Sequence, residues 1–265
     1  MSGIVMTSMI AAAAMAAASA SAAIKTEAVE YKDGDTALEG YLAYDDSAKA
    51  PQPLVLVVHE WWGLNDYAKG RARQLAEMGY VAFAVDMYGK GVLATDAKQA
   101  GELAGKLRSD RKLMRQRITA ALEAAKANPR VDAKRITAIG YCFGGTVVLE
   151  LARSGADIAG VISFHGGLDT PTPADGKNIK CKVLVLSGAD DRSVPLSQIA
   201  AFEDEMRAGK VDYQIVLYGG AVHGFTNSAN GNDPSKNVAY NAEADRRSWQ
   251  AMKDFFAEIL KQPSG

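Results

Sequence analysis

The chain has 265 residues, 48% of them hydrophobic and 23% charged, with a formal net charge of −1. That length and composition suit a globular protein of one large domain or two small ones. A charge so near zero leaves no electrostatic footprint for nucleic acid or an acidic membrane surface, and those partner classes are set aside.

Residues 1–23 carry no charged side chain and end in the small residues Ala18-Ser-Ala20-Ser-Ala-Ala23. Small residues at that point fit signal-peptidase cleavage after Ala20 or Ala23, although the basic n-region of a signal peptide is missing. A transmembrane anchor is the rival reading. It is opposed by the weak apolarity of Ala and Ser and by the lack of a basic stop-transfer flank. The expectation is a cleaved signal peptide over 1–23, with no stable membrane insertion after its removal. A single domain over 24–265 then works in the periplasm or outside the cell, or in the cytoplasm if the segment is not a working signal.

From Val29 to Tyr44 apolar and polar residues alternate around Asp33-Gly34, which predicts an antiparallel hairpin. Leu54–Val58 is a continuous apolar run, as in a strand buried on both faces, and it leads into His59-Glu60-Trp61-Trp62-Gly63. Asn65 or Asp66 should cap a helix running to Met78, with Gly79 just past its end. Val81–Val85 is a second buried strand, ending in Asp86-Met-Tyr. Residues 95–127 read as helix with a break near Ser109-Asp110.

Further strands are expected at Arg135–Gly140, Ile158–Phe164, Lys182–Ser187 and Tyr213–Tyr218. Asp233-Pro234 is expected to cap the last helix, with Trp249, Met252, Phe256 and Ile259 as its apolar stripe. Strands alternating with helices define an α/β fold, a doubly wound, mostly parallel sheet with an antiparallel N-terminal hairpin.

The motif that carries chemistry is Gly140-Tyr-Cys142-Phe-Gly144-Gly145, between a strand and a helix-compatible run. It is the cysteine form of the strand–turn–helix nucleophile elbow. The apex residue is forced into strained dihedrals, and small neighbours let strand and helix pass closely. A thiol at a helix N-terminus is favoured as thiolate. Read alone, the stretch favours a nucleophile over the competing reading of Cys142 as a small buried core residue.

Ligands of such sheets bind beyond the carboxyl ends of the strands. Glu60, Cys142, Asp191 and His223 all follow such ends. The order nucleophile, acid, histidine is that of the α/β-hydrolase fold. This predicts a Cys142–His223–Asp191 triad. Asp190 is the rival acid, disfavoured by the Asp-x-x-Val-Pro spacing of Asp191. His59 and His165 also follow strand ends, and with His223 they are the three histidines of the chain. No metal-ligand spacing such as His-x-x-x-His or Cys-x-x-Cys occurs, so neither metal nor other cofactor is expected.

Cys142 and Cys181 should sit at opposite ends of their strands, roughly 15–20 Å apart. A disulfide needs Cα atoms within about 7 Å, so no bridge is expected.

Several stretches together resemble the dienelactone hydrolase family, of carboxymethylenebutenolidase type, among the α/β-hydrolases. They are Gly40-Tyr-Leu-Ala, His59-Glu60-Trp61-Trp62-Gly63-Leu64-Asn65, Asp86-Met-Tyr, the elbow, Gly188-Ala-Asp-Asp-Arg-Ser-Val-Pro195 and His223-Gly-Phe225. The resemblance spans about residues 26–260. It implies hydrolysis of a small carboxylic ester or lactone through a thioester on Cys142. It also implies an oxyanion hole from the backbone N–H groups of Phe143 and Trp61, and Glu60 as a fourth member that controls ionisation of the thiol.

Trp61 and Trp62 are expected to wall the pocket or join the core. One departure bears on specificity. The position four residues after the histidine, an arginine in relatives acting on dienelactone, is Asn227, which cannot clamp a carboxylate in bidentate fashion. A second family arginine falls among Arg108, Arg111, Arg115 and Arg117, without a unique match. A thiol-based redox protein and a non-catalytic binding module are the competing classes, and a monomer is the default assembly.

Overall fold

The apolar run at 54–58 lies near the middle of a single sheet in the computed structural model, which describes residues 23–261. The first antiparallel pair is β1 (Ile24–Asp33) and β2 (Thr36–Asp45). Next come β3 (Gln52–Val58), α1 (Asp66–Glu77) and β4 (Val81–Val85). Two helices, α2 (Ala97–Ser109) and α3 (Arg111–Lys126), lead to β5 (Val131–Tyr141) and α4 (Phe143–Arg153). The rest is β6 (Gly160–Phe164), β7 (Lys182–Gly188), α5 (Leu196–Gly209), β8 (Tyr213–Tyr218) and α6 (Ala242–Ile259).

The strand order is β1-β2-β4-β3-β5-β6-β7-β8. From β4 to β8 all pairings are parallel, and β2 joins β4 antiparallel.

The alternation of side chains along a strand sorts the core into two layers. Leu54, Leu56 and Val58 of β3 join residues of α2 to α5, such as Met114, Ile118, Val147 and Phe202. Val55 and Val57 face the other way, into a layer with Ala68, Ala72 and Leu75 of α1 and Met252 and Phe256 of α6. All five β3 residues are fully buried, which is why no polar residue interrupts the run.

Most boundaries follow the local chemistry. Asn65 caps α1, accepting from the Ala68 amide, and Gly79 follows its end at φ +89°. Asp110 separates α2 from α3 and caps the second by accepting from Leu113 N at 2.9 Å. Two expectations need correction. The tip of the first hairpin is Gly34-Asp35 rather than Asp33-Gly34, because Asp33 pairs with Thr36 and Gly34 supplies the positive φ of +55°. Asp233-Pro234 opens only a short 3₁₀ turn (Pro234–Lys236), ended by Asn237 at φ +59°, while Asn241 caps α6 by accepting from Ala244 N. Pro at a first helical position marked a turn there, not the helix.

The signal-peptide expectation lies outside the described residues except for Ala23. Among the described residues, no helix is long and apolar enough to cross a membrane.

Candidate active site

β5 runs into Cys142, which sits at φ +53°, ψ −114° and directly precedes α4. The two glycines around it are demanded by contact. A Cβ on Gly140 would stand 2.0 Å from the Gly144 carbonyl oxygen, and one on Gly144 would stand 2.3 Å from that of Val58. A side chain at Gly140 would push α4 off β5, and one at Gly144 would push it off the end of β3. Cys142 is thereby held beside the uncapped N-terminus of α4, whose free N–H groups favour an anion.

The loops after β7 and β8 bring the next two groups to it. His223 Nε2 lies 3.0 Å from Cys142 Sγ, and His223 Nδ1 lies 2.8 Å from Asp191 Oδ2. The other Asp191 oxygen accepts from Ser193 N at 2.7 Å. Asp190 is turned away, exposed, and accepts from Gly220 N. Burial opposes charge on His223, but the Cys142 sulfur and the Asp191 carboxylate outweigh it and lift the imidazole pKa to about 10. The imidazole of His223 thus lies between the Cys142 sulfur and the Asp191 carboxylate, in contact with both.

His223 is also gripped from a segment that sequence reasoning assigned to the last helix. Its backbone N–H donates to Asn237 O and its carbonyl accepts from Ala239 N, forming a bridge with Val238. The Asn237 side chain reaches the acid loop, accepting from Arg192 N at 2.8 Å and donating to Ser193 Oγ at 3.1 Å. Asn237 thus ties the carboxylate loop to the histidine loop. Its left-handed φ is one that Asn tolerates.

The peptide units of the two expected oxyanion donors are fixed through their carbonyls. The Glu60 oxygen contacts His59 Nδ1 and Gly63 N, and the Cys142 oxygen accepts from Gly145 N. In a trans peptide the N–H points opposite the C=O, so the Trp61 and Phe143 amides are held in one direction each.

Glu60 is 5% exposed and receives a 2.7 Å hydrogen bond from Asn227 Nδ2. Burial raises its carboxyl pKa, against the opposing pull of Asn227, His223 and Arg71. Asn227 itself is buried, and its oxygen accepts from Ala229 N.

Cys142, His223 and Glu60 line a cavity of about 410 Å³ with Trp61, Trp62 and Val238 among its apolar walls. A larger but more open groove of about 580 Å³, beside α3, holds neither thiol nor imidazole. Of the four arginines, Arg108 lines the Cys142 cavity and stacks over Phe143 at 5.7 Å. Arg111 pairs with Asp169, Arg115 with Glu150 and Asp175, and Arg117 with Asp33. Only its place in the fold distinguishes Arg108, so spacing alone could not select it.

Cys142 and Cys181 are both free, and burial pushes the Cys181 thiol up to about 12. Among the described residues no cluster of His, Cys, Asp and Glu could hold a metal ion.

A mostly parallel eight-stranded sheet bearing Cys, Asp and His in that order on the loops after β5, β7 and β8 defines an α/β-hydrolase. The profile of the dienelactone hydrolase family matches residues 38–260, and the chain belongs to that family. The solved structure m3DLH is 41% identical with a TM-score of 0.87, over 90% of this chain and 100% of its own. A dienelactone hydrolase-like promiscuous phosphotriesterase from metagenomic libraries is 40% identical with a TM-score of 0.85, over 90% and 99% of the two chains. A Synechocystis protein named as a candidate carboxymethylenebutenolidase is 29% identical over 254 residues, 90% of this chain and 98% of that one. The protein is a dienelactone hydrolase-like hydrolase.

Proposed function

We propose that the protein hydrolyses small carboxylic esters or lactones through a thioester on Cys142. The observation that supports this best is the unbroken line Sγ–Nε2 and Nδ1–Oδ2, 3.0 and 2.8 Å, at the wall of the apolar cavity. The thiolate attacks the carbonyl carbon, and the carbonyl π pair moves onto oxygen, where the Phe143 and Trp61 amides stabilise it. Collapse of this intermediate breaks the C–O bond to the leaving group. His223, oriented by Asp191, gives its proton to the departing oxygen. The neutral imidazole then takes a proton from water, whose oxygen attacks the thioester and releases the acid and the thiolate. Glu60 acts on the ionisation of the thiol before substrate arrives.

The substrate need not carry a carboxylate, because Asn227 is engaged with Glu60 and adds no charge to the cavity. A redox cycle through Cys181 is disfavoured by its burial and high pKa. The enzyme is taken to be an exported monomer; the intact mass of protein recovered from the periplasm tests removal of the leader. The function is tested by Cys142→Ala assayed on a chromogenic short-chain ester, where loss of turnover is expected and unchanged turnover would overturn the proposal. An aryl phosphotriester belongs on the same panel, since the similar metagenomic enzyme is described as a phosphotriesterase.

A further inference from the structure

His165 takes no step in the hydrolysis above, yet it sits within it. It follows β6, is fully buried, and adopts φ +41°, a region few non-glycine residues occupy, His among those that tolerate it. The Cys142 backbone N–H is shared between the Phe164 carbonyl at 3.0 Å and His165 Nδ1 at 3.2 Å; with Nδ1 accepting, the ring proton belongs on Nε2. Nε2–H then donates to Thr226 Oγ1 at 2.8 Å, and the Thr226 hydroxyl shares a 2.6 Å hydrogen bond with Tyr67 Oη.

The far end of this chain is anchored. Arg71 donates to the Thr226 carbonyl at 2.8 Å and pairs with Asp245 of α6 at 2.7 Å. The ring also packs edge-on against His223, with centroids 5.3 Å apart. Burial, reinforced by the nearby charges of His223 and Arg71, holds the imidazole pKa well below its ordinary value, which keeps it neutral and able to accept. The other titratable ring beside it is Tyr141, with centroids 6.1 Å apart.

We propose that His165 is a positioning residue. Its single proton orientation ties the strained backbone of Cys142 to Thr226, on the same loop as His223, and so sets the spacing of sulfur and imidazole. The inference rests on the proposed Cys142–His223 pair being the working chemistry.

The test compares His165→Phe, which keeps a ring but removes both nitrogens, with Thr226→Val and Thr226→Ser. Two quantities are read on protein verified as folded. One is the rate of Cys142 alkylation by iodoacetamide against pH, with the modified residue located by peptide mass. The other is kcat and KM on a chromogenic ester.

Thr226→Val and His165→Phe should each shift the alkylation profile and lower kcat by roughly tenfold or more with KM little changed, as expected of a misplaced reacting pair. Thr226→Ser should restore both. A folded Thr226→Val with the parent's alkylation profile and kcat would overturn the proposal, and this variant decides the matter if His165→Phe does not fold. Alkylation needs no substrate. Full ester turnover in Cys142→Ala would therefore sink the hydrolytic reading, whereas an unchanged alkylation profile and kcat in Thr226→Val with turnover lost in Cys142→Ala would overturn the positioning role alone.

Discussion

Asn227 donates to the buried Glu60 carboxylate at 2.7 Å, where an arginine would have brought a full positive charge. A neutral amide offsets the burial of Glu60 only in part, and the carboxyl pKa stays raised. An acid whose folded pKa exceeds its unfolded one binds its proton more tightly in the native state, so stability falls as pH climbs past the ordinary carboxylate range. Glu60→Gln removes that slope. The melting-temperature gain of the variant over the parent should be larger at about pH 8 than at about pH 5. Equal differences at the two pH values would contradict the assignment.

Arg108 is the cation at the wall of the Cys142 cavity, and it is exposed. An exposed ion pair contributes only about 0.2–1 kcal/mol. Arg108→Gln is therefore expected to raise KM for esters bearing a carboxylate by roughly two- to fivefold and to leave neutral esters unchanged. Steady-state kinetics on a matched pair of substrates checks this, and a uniform change on both would refute it.

The two adjacent aspartates separate cleanly by geometry. Asp191 holds His223 Nδ1, whereas Asp190 holds only the Gly220 amide. Asp191→Asn should lower kcat by about 10³–10⁴-fold, the scale seen when a triad acid is neutralised and the imidazole tautomer is lost. Asp190→Asn should retain nearly full activity. Comparable losses in both variants would reassign the acid.

Stability has its own sensitive point beneath the loop after β6. Arg153, fully buried, binds both oxygens of Glu205 at 2.8 and 2.7 Å, and also Glu150 and the Leu168 carbonyl. Removing one partner of such a set leaves buried charge uncompensated. Arg153→Leu should cost about 3–5 kcal/mol in urea unfolding. A loss below 1 kcal/mol would mean that the carboxylates reprotonate or find water at little cost.

The elbow and the Asp loop were legible in the sequence because each follows a strand buried on both faces, the His loop because it follows the apolar stretch of the edge strand β8, and parallel strands deliver their ends to one rim. Short-range signals were less reliable. Asp233-Pro234 and Asn241 both carry capping chemistry, and only the fold decides that Asn241 starts α6 while the segment between them returns to His223. Arg108 was indistinguishable from its three neighbours until α2 was packed. The partners of His165 and Glu60, Thr226 and Asn227, lie 61 and 167 residues away along the chain, beyond any local pattern.

The central claim is covalent: an acyl group rests on one sulfur between two halves of the reaction. The most direct measurement is intact and peptide mass after acid quench of the enzyme during turnover of an activated ester, in parent and Cys142→Ala. The account predicts one acyl group on the peptide containing Cys142, lost on further incubation, with no adduct and no turnover in Cys142→Ala. Full turnover in Cys142→Ala, or an acyl group found on another residue, would contradict it.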